Sequence, residues 1–384
     1  MILPPATLGM LGGGQLGRYF VSAAHEAGYK VWVLDPDPNS PAGCIADRHL
    51  VAAYDDFTAL DQMAAECRAV TTEFENVPAG TLDYLAKFVT VHPSAQAVSV
   101  CQNRIAEKRF LAGNGLPHGP FAVIESEEDL RRADPALFPA VLKVARFGYD
   151  GKGQARVANA EEALHAFHQF AGEACVLEKM LALDCELSVV LVRAEDGAVR
   201  AFPAAENRHR HGILDVTIAP ATVSDELLAE AGAVAELIAT ALGYVGTLGV
   251  EFFVCDGALR VNEMAPRPHN SGHHTLDACR VSQYGQQVRA LAGLPLGEPE
   301  QHSPAVMVNL LGELWFDDDL RDRQREPDWS VLHAVPGLCL HLYGKHHARP
   351  GRKMGHFTVT GAEREVVIER AMRARAAIGI RDDE

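Results

Sequence analysis

A lysine sits inside an otherwise apolar run, Lys143 among Val141, Leu142 and Val144. An ammonium there must meet an anion or reach water, because burying it unpaired is costly. Gly148, Tyr149, Asp150, Gly151, Lys152 and Gly153 follow, and a second strand begins at Gln154. A glycine-rich turn between two strands is neither a Walker loop nor a dinucleotide loop. Carrying its own lysine, it suits a lid that closes over phosphates, the alternative being a plain hairpin. Further on, Glu251 and Glu263 lie on the two arms of a hairpin that turns at Asp256 and Gly257. A two-residue turn places Glu251 opposite Asn262, whereas a loop of Asp256 to Ala258 places it opposite Glu263. Facing carboxylates destabilise a sheet unless something neutralises them. Two hard oxygen donors beside phosphate oxygens suit Mg2+, the alternative being two unrelated exposed acids.

The same hairpin runs into RVNEMAPRPHNSGHHT, Arg260 to Thr275. Pro266 and Pro268 flank Arg267 and stop both helix and sheet, so Arg267 to His274 is expected to be a rigid loop leaving a strand end. Loops so placed carry chemistry, unless this one is a solvated polar turn.

The elements that must position these groups begin with a βαβ unit. Thr7 to Leu11 reads as a strand, Gly12 to Gly17 as G-x-G-x-x-G opening a helix, and Val31 to Leu34 as the next strand, ending at Asp35. Such a loop can approach an anion, and Asp35 stands where a dinucleotide enzyme holds a ribose, so an NAD-dependent oxidoreductase is one reading. The other is that Asp35 caps its strand. Alternation continues through strands at His49 to Ala53 and Ala69 to Thr72, after which Glu73 and Glu75 fall at a strand end where open parallel sheets place ligands, or in an exposed acidic turn.

Asn103 is a plausible cap for a helix with Arg104 and Lys108 on one face, a pair that reads as solvent-facing. Cys175 to Leu181 reads as a strand whose acid, Glu178, could accept from a purine amino group or a ribose. Glu206 to Gly212, ENRHRHG, reads by composition as a loop. Ser224 to Leu242 is an amphipathic helix ended by Gly243. Val306 to Leu311 and Leu338 to Val359 read as strands before a terminal helix from Ala362 to Ala377, with Arg349, Arg352 and Lys353 as a basic cluster that is either a solvated turn or a clamp suited to a phosphate.

The chain has 384 residues, room for two or three domains. With 35 Lys and Arg against 51 Asp and Glu, its formal charge of -16 argues against a nucleic-acid partner. No apolar run approaches a membrane span, and the first basic residue is Arg18, so a soluble, unprocessed, cytoplasmic protein is expected. Eight cysteines with no CxxC pair suit reduced thiols filling cores.

From GGGQLG (12–17) through EFENVP (73–78), GYDGKGQ (148–154) and NEMAPRPHNSGHHT (262–275) to RPGRKMGH (349–356), the chain resembles the ATP-grasp superfamily and, within it, the N5-carboxyaminoimidazole ribonucleotide synthetase family. The glycine loop is generic; APRPHNSGH and RPGRKMGH are much more specific. The resemblance implies an α/β fold, α+β overall, with a Rossmann-like pre-ATP-grasp domain (1–103), an ATP-grasp domain (104–302, its lid subdomain about 110–181) and a small β-rich C-terminal domain (303–384). It implies a ligase that uses ATP and Mg2+ to carboxylate 5-aminoimidazole ribonucleotide with bicarbonate in purine biosynthesis, and a homodimer. Arg104, Lys143, Gly148, Tyr149, Asp150, Gly151, Lys152, Gly153, Gln154, Glu178, Lys179, Met180, Leu181, Glu186, His209, Asn262 and Glu263 would contact ATP, with Glu251 and Glu263 on the metal. Gln15, Glu75, Tyr149, Asp150, Arg267, Asn270, Ser271, Lys345, Arg352 and Lys353 would surround bicarbonate and the ribotide.

The expected chemistry runs through carboxyphosphate, with Lys143 and Mg2+ absorbing charge, Arg267 steering carboxyl oxygens and Asp150 as general base. The family pattern has Asp where this chain has Asn103, which puts only that residue's own contact in question. The alternatives are another ATP-grasp ligase, a catalytically silent nucleotide-binding scaffold, or the oxidoreductase, which leaves Lys143, the second glycine loop and the acid pair idle.

Overall fold

The computed structural model describes residues 1–146, 153–316 and 324–380. Five short strands build a parallel sheet: β1 (Thr7–Leu11), β2 (Lys30–Leu34), β3 (Arg48–Leu50), β4 (Ala69–Thr72) and β5 (Thr90–Val91), in the order β3-β2-β1-β4-β5. Helices α1 (Gln15–Glu26), α2 (Phe57–Glu66) and α3 (Ala79–Leu85) connect them. The central strands β1 and β4 are almost wholly buried, and β1 accordingly reads as a short apolar run. Separate cores pack on the two faces of this sheet.

Helix α4 (Ala95–Cys101) and helix α5 (Arg104–Gly113) lead out of the sheet. Asn103 caps α5, its side-chain oxygen accepting from the N–H groups of Ile105 and Ala106. A four-stranded antiparallel sheet follows: β6 (Phe121–Ile124), β7 (Ala140–Val144), β8 (Gln154–Val157) and β9 (Cys175–Lys179), ordered β6-β9-β7-β8 and covered by α6 (Glu127–Arg132) and α7 (Ala160–Gln169).

The large sheet has nine strands, beginning with β10 (Cys185–Arg193), β11 (Val199–Ala201), β12 (Ala205–Arg210) and β13 (Ile213–Ala219). Helix α8 (Asp225–Ala241), capped by Ser224, leads to the hairpin of β14 (Gly246–Cys255) and β15 (Ala258–Ala265). A 3-10 turn (Asn270–His274), α9 (Thr275–Ala278) and α10 (Gln283–Ala292) then lie against the sheet, and the chain returns as β16 (Ala305–Leu311), α11 (Ser330–His333), β17 (Leu338–Leu342), β18 (Lys353–Thr360) and α12 (Arg364–Ala377). The order is β15-β14-β10-β12-β13-β16-β18-β17, with β11 on β10, so the C-terminal strands extend the large sheet through the β13–β16 pair.

Two expectations are corrected here. Glu206 to Arg210 is strand, not loop: β12 pairs with β10 and β13. Cys44 and Cys339 are exposed rather than core, although all eight cysteines are free thiols.

Candidate active site

Three strand ends and one helix bring several of the expected ATP-contacting residues together. Lys143 on β7 places Nζ 3.1 Å from Glu178 Oε1 on β9. The other carboxylate oxygen of Glu178 lies 3.1 Å from Lys108 Nζ on α5. Burial would raise the Glu178 carboxyl, but Lys143, Lys108 and Arg104 outweigh it and hold it at about 2. Lys143 is shifted down, by burial first and then by the cations Arg104 and Lys108, against the pull of Glu178. Arg104 is held near Lys143 by its own N–H bond to the Ala145 carbonyl, 2.9 Å, and its guanidinium reaches Glu263 Oε2 at 3.2 Å. Lys108 is buried, which corrects the solvent-facing reading of the Arg104 and Lys108 pair.

The hairpin turns on Asp256 and Gly257, with Cys255 opposite Ala258 and Phe252 opposite Val261. A bulge then adds Asn262 to β15, so Glu251 pairs with Glu263. Asn262 Nδ2 donates to Glu251 Oε2 at 3.2 Å, and His269 Nε2 lies 3.3 Å from Glu251 Oε1. Glu251 is raised by burial and then by Glu263. Burial also acts to raise Glu263, but Arg104, Lys143 and Arg267 overcome it and lower that carboxyl. His269 is kept neutral, its imidazole pushed down to about 3 by burial and by Arg267. Asn262 Oδ1 is buried with no hydrogen-bond partner among the described residues. Opposed carboxylates beside an orphaned amide oxygen form the hard donor set that suits a divalent cation.

On the far side of Pro266, Arg267 donates from Nε to Glu75, tying the proline-flanked loop to the parallel sheet. A narrow crevice between the two groups is lined by Glu75, Arg104, Ala145, Glu263 and Pro266. Asn270 is buried, and both polar atoms of its side chain lack a partner among the described residues. Ser271 is fully buried, and its hydroxyl lies 2.8 Å from both Ser188 Oγ and His269 Nδ1. Lys345 donates to the Lys353 carbonyl at 2.6 Å and lies over the Tyr343 ring. Arg352 donates to the His347 carbonyl. Gln15, at the start of α1, is half-buried.

The glycine-rich loop at α1 is already filled from within. Glu73 accepts from Gly14 N–H at 2.7 Å and Gly17 N–H at 3.0 Å, standing where a phosphate would stand at a helix N-terminus. Gly12 takes φ +102°, and a Cβ there would meet Glu73 Cγ at 2.8 Å. Asp35 accepts from Gly13 N–H and from Tyr54 OH, so it braces the loop and offers nothing to a ribose. Both facts count against the oxidoreductase.

Elsewhere, His209 Nδ1 lies 2.7 Å from Glu186 Oε2; burial lowers this imidazole, but Glu186 and Glu251 raise it overall. At the end of β9, Lys179 and Met180 are exposed and Leu181 is half-buried. Gly153 precedes β8 and Gln154 opens it, whereas Gly148, Tyr149, Asp150, Gly151 and Lys152 lie outside the described residues. Composition alone missed Glu107, Lys108 and His269. Lys108 stands between the buried Ile105 and Leu111 on the inward face of α5, the one available signal that it is not a surface lysine.

Asp277, His341 and His356 also bring possible ligand atoms within 4.8 Å of one another. The His341 and His356 rings, however, stack at 4.5 Å with planes 17° apart. In-plane lone pairs so arranged do not converge on an ion at about 2.0–2.1 Å from each.

The chain is similar to known proteins over nearly all of its length. The chain matches three family models in series: a ribonucleotide synthetase preATP-grasp domain over residues 5–102, an ATP-grasp domain over 109–284, and a phosphoribosylaminoimidazole carboxylase C-terminal domain over 305–370. It is 44% identical over 359 residues to an N5-carboxyaminoimidazole ribonucleotide synthase of Brucella melitensis, covering 92% of this chain and 96% of that protein. It is 39% identical to one of Bacillus subtilis, covering 93% and 92%. Among solved structures, an N5-carboxyaminoimidazole ribonucleotide synthetase in an ADP complex superposes with a TM-score of 0.90 at 41% identity, covering 98% of this chain and 97% of that one. An Aspergillus clavatus N5-carboxyaminoimidazole synthase complexed with ADP and 5-aminoimidazole ribonucleotide superposes at 0.87 and 31%, covering 97% and 98%. Sequence, domain series and fold agree over nearly the whole chain, and the protein belongs to the N5-carboxyaminoimidazole ribonucleotide synthase family of ATP-grasp enzymes.

Proposed function

We propose that this chain is the ligase that carboxylates 5-aminoimidazole ribonucleotide to N5-carboxyaminoimidazole ribonucleotide at the expense of ATP, in purine biosynthesis. The observation that carries the reading is the one strand end, β15, that presents Glu263 to the phosphate-side cations and, past Pro266, Arg267 to the acceptor side. In this reading bicarbonate attacks the γ-phosphorus of ATP, ADP leaves, and carboxyphosphate forms. The exocyclic amine of the ribotide then takes the carboxyl group and phosphate departs. Lys143 and Arg104 stabilise the transferring phosphoryl group, while the β9 end, from Glu178 to Leu181 with its exposed Met180, receives the purine and Glu186 and His209 the ribose side. Arg267 and Asn270 orient carboxyl oxygens, and Lys345, Arg352 and Lys353 face the ribotide with Gln15 and Glu75. Asp150 accepts the amine proton, and the glycine-rich segment 148–154 excludes water from the labile anhydride.

Glu251 and Glu263, with Asn262 Oδ1, would hold Mg2+, which when bound neutralises phosphate charge and polarises the γ-phosphoryl group. This reading divides the chain at 103/104 and 302/303 and places it in the cytoplasm as a homodimer acting on small molecules alone. Among the described residues no helix is long and apolar enough to cross a membrane. Oxygen labelling tests the order of steps: with 18O-bicarbonate, one labelled oxygen should appear in the released phosphate. Unlabelled phosphate, with the ribotide nonetheless carboxylated, would overturn carboxyphosphate as intermediate.

A further inference from the structure

Helix α5 grips three consecutive residues of β15 with three side chains from one of its faces. Lys108 Nζ donates to the Asn262 carbonyl at 3.1 Å, Arg104 Nη2 reaches Glu263 Oε2 at 3.2 Å, and Glu107 Oε1 accepts the Met264 N–H at 2.6 Å. Positions 104, 107 and 108 are three and four apart, which puts them side by side on a helix. β15 is an edge strand of the large sheet, so its outward backbone groups need partners from outside the ladder. Glu107 and Lys108, each 1% exposed, supply them on either side of Glu263. Asn262, which Lys108 holds, is the very residue the bulge adds.

A buried ion-bearing pair is a poor way to stabilise a helix–sheet contact, because apolar side chains of similar volume usually do as well or better. Charge at 107 and 108 therefore calls for a second purpose, and the other contact of Lys108 supplies one. Its Nζ lies 3.1 Å from Glu178 Oε2, and Glu178 is the partner of Lys143. One ammonium thus fastens β9, through the Glu178 carboxylate that Lys143 also pairs with, to the bulge that brings the two acids face to face.

We infer that Glu107 and Lys108 are positioning residues: they hold the bulge at Asn262, and so the opposition of Glu251 and Glu263, in register with Lys143 on the small sheet. The inference rests on the reading of Glu251 and Glu263 as the cation site. Groups that orient ligands in this way typically change metal affinity by about 10- to 100-fold when removed.

Nucleotide binding without turnover tests it. ATP binding is measured by calorimetry across a range of free Mg2+, with bicarbonate and ribotide left out, for the wild type, Lys108→Met, Lys108→Arg and Glu107→Ala. Lys108→Met should need about tenfold more free Mg2+ or higher for the same tightening of ATP binding, Glu107→Ala should shift in the same direction, and Lys108→Arg should recover part of the loss. If Lys108→Met does not fold, Glu107→Ala decides, since it leaves every phosphate-side group in place. An unchanged Mg2+ requirement in a folded Lys108→Met or Glu107→Ala protein overturns the inference. Failure of both to fold also overturns it, because the pair would then serve the core alone. Wild-type ATP binding indifferent to Mg2+ would instead remove the cation-site reading beneath it.

Discussion

Glu251 and Glu263 stand directly across from each other on β14 and β15 although the hairpin turns on only two residues, because Asn262 is inserted into the second strand. The arrangement is unfavourable by itself, and its orphaned Asn262 oxygen adds to the cost. Such a conflict is expected where a site is kept for its ligand.

Glu251→Gln should therefore separate stability from activity. It removes the repulsion while leaving an acceptor for Asn262, so the metal-free protein should lose nothing and gain up to about 0.5 kcal/mol. ATP turnover should fall about a hundredfold or more. Thermal melting in chelator and a phosphate assay read the two effects; a variant less stable without metal, or equally active with it, speaks against the pairing described.

Lys143 and Glu178 should respond asymmetrically. Lys143→Met leaves Glu178 with Lys108 and should fold, with turnover reduced about a hundredfold. Glu178→Leu strands two buried ammonium groups and should destabilise the protein by about 3 kcal/mol. Denaturant midpoints for the two variants check this, and equal midpoints would contradict it.

Lys345 should set the pH dependence of ribotide binding. Burial, then Arg352, brings its ammonium from 10.5 down to about 7. It is charged below that pH and neutral above it, so the KM for the ribotide should rise as pH increases through 7, and Lys345→Met should flatten that rise. The folded state also binds fewer protons than the unfolded one between these two values, so this group makes stability increase with pH across that window. A KM that falls above pH 7 would show that Lys345 does not meet the phosphate.

Glu73 should matter for folding and exclude dinucleotides. Glu73→Ala leaves the Gly14 and Gly17 N–H groups without their acceptor and should cost about 2 kcal/mol. NADH fluorescence should not change on adding the wild-type protein, since the cradle is occupied by this carboxylate. Saturable NADH binding would reopen the oxidoreductase reading.

Apolar periodicity, glycine punctuation and caps were enough to anticipate the parallel sheet, α8, the hairpin and the cap at Asn103, because each is set by neighbours in the chain. The Lys143 strand was legible for the same reason, being a charge out of place. The bulge was not, since turn chemistry at Asp256 and Gly257 fixes the register only as far as Val261, and nothing local marks Asn262 as an insertion. Lys108 read as a surface residue because its partners, Glu178 and Asn262, are distant in sequence. β12 read as loop because strand patterning assumes one apolar face, and here Glu206, Arg208 and His209 are polar, Glu206 pairing with the exposed Arg208 and His209 with Glu186. The filling of the glycine loop by Glu73 joins two motifs that each, alone, looked ready for a ligand.

The central claim is that phosphoryl transfer and carboxyl transfer occur on either side of Pro266 in one enzyme. Phosphate release from ATP, measured with bicarbonate and 5-aminoimidazole ribonucleotide added singly and together, tests it most directly. Rapid release should require both, with ADP formed and ribotide consumed in equal amounts. Release at the full rate without the ribotide, or no ATP turnover with every substrate present, would contradict it.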